Sequence, residues 1–120
     1  DDTKINIRLA VSKCIHNNKD INNKLDKSIE ALQDILNNDI KNLDKLDKKL
    51  ISKIYCYMGM WRAEQIDKKL NEKDVNEILS YLTLSTSNDD KNYKAWHQAA
   101  LLNYKFVESE INLEKDKKVK

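Results

Sequence analysis

Two cysteines, two histidines and two tryptophans are the side chains of this sequence best suited to chemistry, and their spacing decides what each can do. Cys14 and His16 are separated by one residue, which on a helix turns them about 200° apart, so they cannot chelate one metal ion without unwinding the backbone. Cys56 and Cys14 each sit in an apolar helical pattern, where a free cysteine behaves as a small buried hydrophobe rather than as half of a disulfide. His97 stands next to Trp96 beside an apolar stripe and reads as a packed or partly exposed residue. Trp61 and Trp96 have the rings for a ligand-stacking platform, but at their helical spacing they are expected in the core. Asp44 with Asp47, and Glu64 with Asp67, lie among lysines at spacings that suit surface ion pairs. No Ser, Thr or Cys stands in a nucleophile motif, and with Gly59 as the single glycine a P-loop or a kinase glycine-rich loop is excluded within these 120 residues. No catalytic, cofactor-binding or metal-ligating residue is expected; the residues that stand out, Gly59, Trp61, Tyr93, Trp96, His97 and Tyr104, are structural.

The elements that would position them are helices. The chain has no Pro, one Gly and 35% charged residues, a composition without the turn residues that sheets need. A first helix is expected over about Ile5–Ile15, with Ile7, Ala10, Val11, Cys14 and Ile15 inward and a polar break from His16. A second starts near Asp20 and carries Ile21, Leu25, Ile29, Leu32 and Leu36. A third carries Leu43, Leu46, Leu50, Ile54 and Met58 and reaches Gly59, where the chain is expected to bend. Trp61 would fill that corner and open a short fourth helix with Ala63, Ile66 and Leu70. Asp74 and Glu77 have capping-box spacing before a fifth helix with Val75, Ile78, Leu79 and Leu82 inward.

The last helix, from about Lys91 to Leu113, is apolar around much of its circumference. Tyr93, Trp96, Ala100, Tyr104, Val107 and Ile111 follow three- and four-residue steps, and Ala95, Ala99, Leu102 and Phe106 form a second stripe beside them. Such a helix is expected to be sandwiched. None of these helices is stable alone, because a few buried side chains do not offset the ordering of each backbone. The fold class expected is all-α: antiparallel helix pairs stacked as a TPR- or HEAT-like solenoid fragment of about five or six helices. A two-stranded coiled coil fails, since heptads counted from Leu43 meet Lys53 and the seam is lost. Residues 1–113 form the helical module and 114–120 a charged tail or linker.

The net charge is +2, and basic and acidic residues alternate along the sequence instead of forming blocks. Nucleic acid is therefore not an expected partner. No stretch approaches a membrane span and Asp1–Lys4 lacks the apolar core of a signal peptide, so an intracellular, cytoplasmic chain is expected.

Two strings carry a resemblance. IYCYMGMW, with Cys56, Gly59 and Trp61, and YKAWHQAALLNYKFV, with Tyr93, Lys94, Ala95, Trp96, His97, Ala100 and Asn103, occur in the order and spacing of the C-terminal part of the FAT domain of target-of-rapamycin (TOR) kinases, members of the phosphatidylinositol-3-kinase-related family. The sequence is similar to that region over about Ile51 to Val107, and Gln98 and Ala99 depart from it where the family tends to a second Trp. The resemblance implies a non-catalytic scaffold that wraps a Ser/Thr kinase domain. Its partners would be the kinase and rapamycin-binding regions of the same chain and other subunits of a TOR-like complex. It implies no cofactor in this segment, with ATP and Mg²⁺ acting in the parent kinase. The competing expectation is a stand-alone TPR-like adaptor that takes a peptide or partner helix in a groove, with Trp61 or Tyr81 as exposed anchors.

Overall fold

The computed structural model describes residues 2–20, 23–39, 47–66 and 70–119. Five α-helices follow one another: α1 (Asp2–Asn17), α2 (Lys24–Asp34), α3 (Lys48–Gln65), α4 (Glu72–Asn88) and α5 (Tyr93–Val119), with a π-helical turn, Ile35–Asp39, continuing α2. No strand occurs among the described residues. Leu43 and Leu46, expected on the third helix, and Ile21, expected on the second, lie outside them.

α3 is the hub. One side of it, with Ile51, Ile54, Met58 and Trp61, closes a core with Ile5 and Leu9 of α1 and Leu32 of α2. Its other side carries Ser52, Cys56, Gly59 and Ala63, a stripe of small residues at four- and three-residue steps that lets α4 approach closely. Contacts run in opposite order along the two helices, from Ser52 with Ser85, through Gly59 with Leu82, to Arg62 with Glu77, so α3 and α4 are antiparallel. Val75, Ile78 and Leu82 of α4 then form a second core with Cys56 and with Ala95 and Leu102 of α5.

Gly59 does not bend the chain. It sits inside the continuous helix α3, and a Cβ there would lie 2.9 Å from Leu82 Cδ2 and 3.0 Å from its Cγ. The residue is small because a neighbour is close, and its backbone freedom is unused. Trp61 accordingly lies within α3 rather than at the start of another helix, and the described residues form five α-helices without a separate short one opening at Trp61.

The inward face of α1 also differs from expectation. Ile5, Leu9 and Ser12 are buried, while Ile7 and Val11 are 60% and 52% exposed and Cys14 is exposed. Both faces have helical periodicity; the buried one carries Ile5 and Leu9, and it tolerates Ser12 because that hydroxyl donates to the Arg8 carbonyl at 3.0 Å and needs no partner elsewhere. Ser28 of α2 is buried in the same manner, bonded to the Leu25 carbonyl.

Side-chain caps start α3 and α4, and the start of α4 lies one turn before the expected place. The Asn71 side chain accepts the Asp74 N–H at 2.8 Å, so α4 begins before the Asp74–Glu77 pair rather than at it. Asp47 caps α3 through the Leu50 N–H. Asn23, in the left-handed region at φ 56°, precedes α2, which starts after Asp20 by more than a residue or two. At the other end α5 runs past Leu113 to Val119.

Candidate functional site

The two tryptophans have opposite fates. Trp61 is 3% exposed and lies under His16, whose ring stacks on it at 4.6 Å between centroids and 14° between planes. His16 Nε2 donates to Glu64 Oε2 at 2.7 Å, and Tyr57 leans on the same indole at 5.3 Å. The cluster clasps the C-terminal end of α1 onto α3. Placing His16 in the last turn of α1 also sets an imidazole against the negative end of that helix. His16, expected to open a polar break after the first helix, instead continues the buried stripe of Leu9 and Ser12 by a four-residue step.

Trp96 is 52% exposed, which corrects its expected place in the core. Tyr93, Tyr104, Val107 and Ile111 of the same stripe are exposed as well. The physical reason is the division of α5 into halves. Ala95, Leu102 and Phe106 pack on α4, so the neighbouring Tyr93–Ile111 stripe is turned out of that contact, and no described element covers it. Trp96 is held in register by its Nε1–H, which donates to the Asp90 carbonyl at 2.9 Å. His97 is exposed beside it. Of the residues singled out, the fold brings Tyr93, Trp96, His97 and Tyr104 to one outer surface and buries Gly59 and Trp61 in the interior.

A polar latch that sequence reading missed fixes α5 at its start. Ser85 Oγ donates to the Ser52 carbonyl at 2.6 Å, the two hydroxyls are 3.0 Å apart, and Asn92 Nδ2 reaches both at 3.0 and 3.2 Å. Asn92 Oδ1 accepts the Ala95 N–H at 3.3 Å, so the same side chain caps α5. Three helices meet at three side chains, all of them satisfied, and both serines are fully buried. The signal was present: Ser85 falls in step with Val75, Ile78 and Leu82, where the pattern calls for an apolar residue.

Chemical reactivity is muted. Burial pushes the Cys56 thiol up from its ordinary value, with the nearby Lys94 charge opposing in part, so it stays protonated at neutral pH. Cys14 and Cys56 are both free. Among the described residues no three His, Cys, Asp or Glu side chains converge to hold a metal ion. A recess of about 200 Å³ lies where Gly59, Leu82 and Leu102 meet, with Gln98 and Lys105 also in its lining. Trp61 is buried and Tyr81 is half-buried against the first core, so neither is presented as the exposed anchor that an adaptor groove would need. No helix among the described residues is long and apolar enough to cross a membrane.

Packed helix pairs with apolar contacts and one uncovered aromatic face make the described residues an all-α, solenoid-like fragment. Within that class the FAT domain model matches residues 2–119, and the chain belongs to the FAT domain family, helical scaffold domains of phosphatidylinositol-3-kinase-related proteins. No solved structure matches it.

Proposed function

We propose that this chain is a non-catalytic scaffold segment of a TOR-like Ser/Thr kinase, which uses the outer face of α5 to hold the kinase and rapamycin-binding regions of its parent chain. The observation that carries the reading is the uncovered Tyr93–Ile111 stripe on a FAT domain, where five large apolar side chains face away from the core. Soluble proteins seldom leave such a contiguous stripe in water unless something docks on it. The role is mechanical: the segment biases the position of the kinase lobes while ATP, Mg²⁺ and phosphoryl transfer stay in the kinase domain, in the cytoplasm. Contacts with other subunits of a TOR-like complex would use the same outer faces.

Sequencing the transcript beyond the Lys120 codon tests the reading. The expected outcome is an open frame that leads into a kinase catalytic loop and an Asp-Phe-Gly-type metal-binding motif. A stop codon soon after Lys120 would overturn it and favour a free helical-repeat adaptor.

A further inference from the structure

We propose that the outer stripe of α5 and a lysine-lined cleft at its N-terminal end form one docking surface, whose partner is an amphipathic helix with carboxylates clustered at one end. The inference rests on the scaffold reading above and adds the chemistry of what covers the stripe.

The cleft, about 320 Å³, lies between the first turns of α3 and the start of α5 and is lined by Lys49, Lys53, Lys91 and Lys94. The carboxylate in its wall, Asp89, accepts the Lys91 backbone N–H at 3.1 Å. None of the four lysines pairs with a carboxylate among the described residues; the ion pairs seen there join Arg8 to Asp34, His16 to Glu64 and Arg62 to Glu77. A fifth cation adjoins them, since Lys13 and Lys94 both place Nζ over the Tyr57 ring, at 4.8 and 5.5 Å. The chain as a whole is nearly balanced, with 22 basic and 20 acidic residues, so this surplus is made by folding and not by composition. The positive end of the α5 dipole points the same way.

Tyr93 joins the two parts, because it lines the cleft and is also the first residue of the stripe, 76% exposed. From Tyr93 to Ile111 the stripe is about 27 Å long, the footprint of a helix of about five turns. The partner is a helix because α5 offers side chains but no free backbone edge, so a bound segment must satisfy its own N–H and C=O groups. Its direction follows from charge. Glu110, Glu114 and Lys115 surround Ile111 at the far end of the stripe, two carboxylates to one cation against four lysines to one carboxylate at the cleft, so the acidic end of the partner lies over Tyr93 and the cleft. A second copy of α5, antiparallel, would also bring glutamates toward the cleft and is the occupant the experiment must separate.

The experiment titrates the full 120-residue chain with two synthetic helices of about five turns that share one leucine stripe. One carries glutamates in its first two turns and the other lysines at the same positions. Protection of Trp96 from acrylamide reports binding, and light scattering reports the oligomeric state. The glutamate-tipped helix is expected to bind about tenfold tighter in about 50 mM NaCl, with most of that preference lost at about 500 mM. Lys49→Glu with Lys53→Glu and Lys94→Glu, all at exposed positions, should reverse the preference. The peptide-swap and salt arms stand even if that triple variant fails to fold. Equal binding of both helices would overturn the acidic partner while leaving the outer stripe as a docking face. A dimer with Trp96 already protected, dissociated by Glu108→Lys, would assign the face to a second copy. Binding of neither helix to a monomer whose Trp96 stays accessible would overturn the docking face itself, whereas the scaffold reading stands or falls separately on the sequence beyond Lys120.

Discussion

α3 and α5 are both apolar around most of their circumference, yet α3 is covered on both sides and α5 on one. α3 has Ile54 and Trp61 against α1 and α2, and Cys56 and Gly59 against α4 and α5. α5 has Ala95 and Leu102 against α4 and leaves Trp96 and Tyr104 in water. The pattern of apolar residues marks a helix that wants two neighbours; it carries no information on whether both neighbours are in the same 120 residues. On the scaffold reading proposed above, the difference between the helices marks a partner for the outer face of α5 and not a weaker helix.

The comparison is broken most severely by Trp61→Ala. A buried indole lost from a core costs about 3 to 5 kcal/mol, a large fraction of the roughly 5 to 15 kcal/mol that holds a domain folded. His16 also loses the ring that orients it toward Glu64, so α1 should detach from α3 in the same step. Urea unfolding of the variant, followed by far-UV circular dichroism, should show a midpoint shift of that size or no folded baseline at all.

Next in size is the latch. Asn92→Ala removes the cap of α5 and leaves the Ser52 and Ser85 hydroxyls short of a donor, which should cost about 2 kcal/mol. Hydrogen exchange separates this from a general loss of stability: protection should fall first at the start of α5, from Ala95 onward, and last in α3. Uniform loss along the chain would mean that α5 and α3 are one cooperative unit and that their contrast is static only.

Gly59→Ala sharpens the comparison from the covered side. The added methyl meets Leu82, which is 2% exposed and has little room to move, so overpacking should cost about 1 to 3 kcal/mol. Alanine returns about 1 kcal/mol through helix propensity, so the net loss should be near 1 kcal/mol in a thermal melt. A gain in stability would show that α4 can shift outward and that α3 is less tightly covered than its burial implies.

These effects also show what was legible in the sequence. Helix content, the apolar faces of α2 and α4 and the YKAWH segment on the last helix followed from periodicity and residue type. Gly59 was misread because a glycine that turns the chain and a glycine that admits a neighbour look alike until the neighbour is placed. The face of α1 differs from expectation because Ile5 and Leu9 compete with Ile7 and Val11 on equal periodicity, and Ser12, polar in type, can be buried once its hydroxyl bonds to its own helix. The latch joins positions 33 and 40 residues apart, so no local pattern announces it beyond a serine in an apolar stripe. Trp96 was placed in the core because its neighbours in sequence are apolar, and exposure depends on neighbours in space.

The smallest expected effect is the most telling. Trp96→Phe removes a half-exposed indole and one exposed hydrogen bond to the Asp90 carbonyl, so it should cost no more than about 1 kcal/mol in the isolated chain. In the same preparation, acrylamide should quench about half of the wild-type tryptophan emission readily, from Trp96, and the variant's remaining emission from Trp61 hardly at all. If Trp96→Phe instead costs nearly as much as a substitution at Trp61, with both indoles protected, the outer face of α5 is already covered in the isolated chain. The contrast between α3 and α5 would then be one of partners found within the fold and partners recruited by self-association.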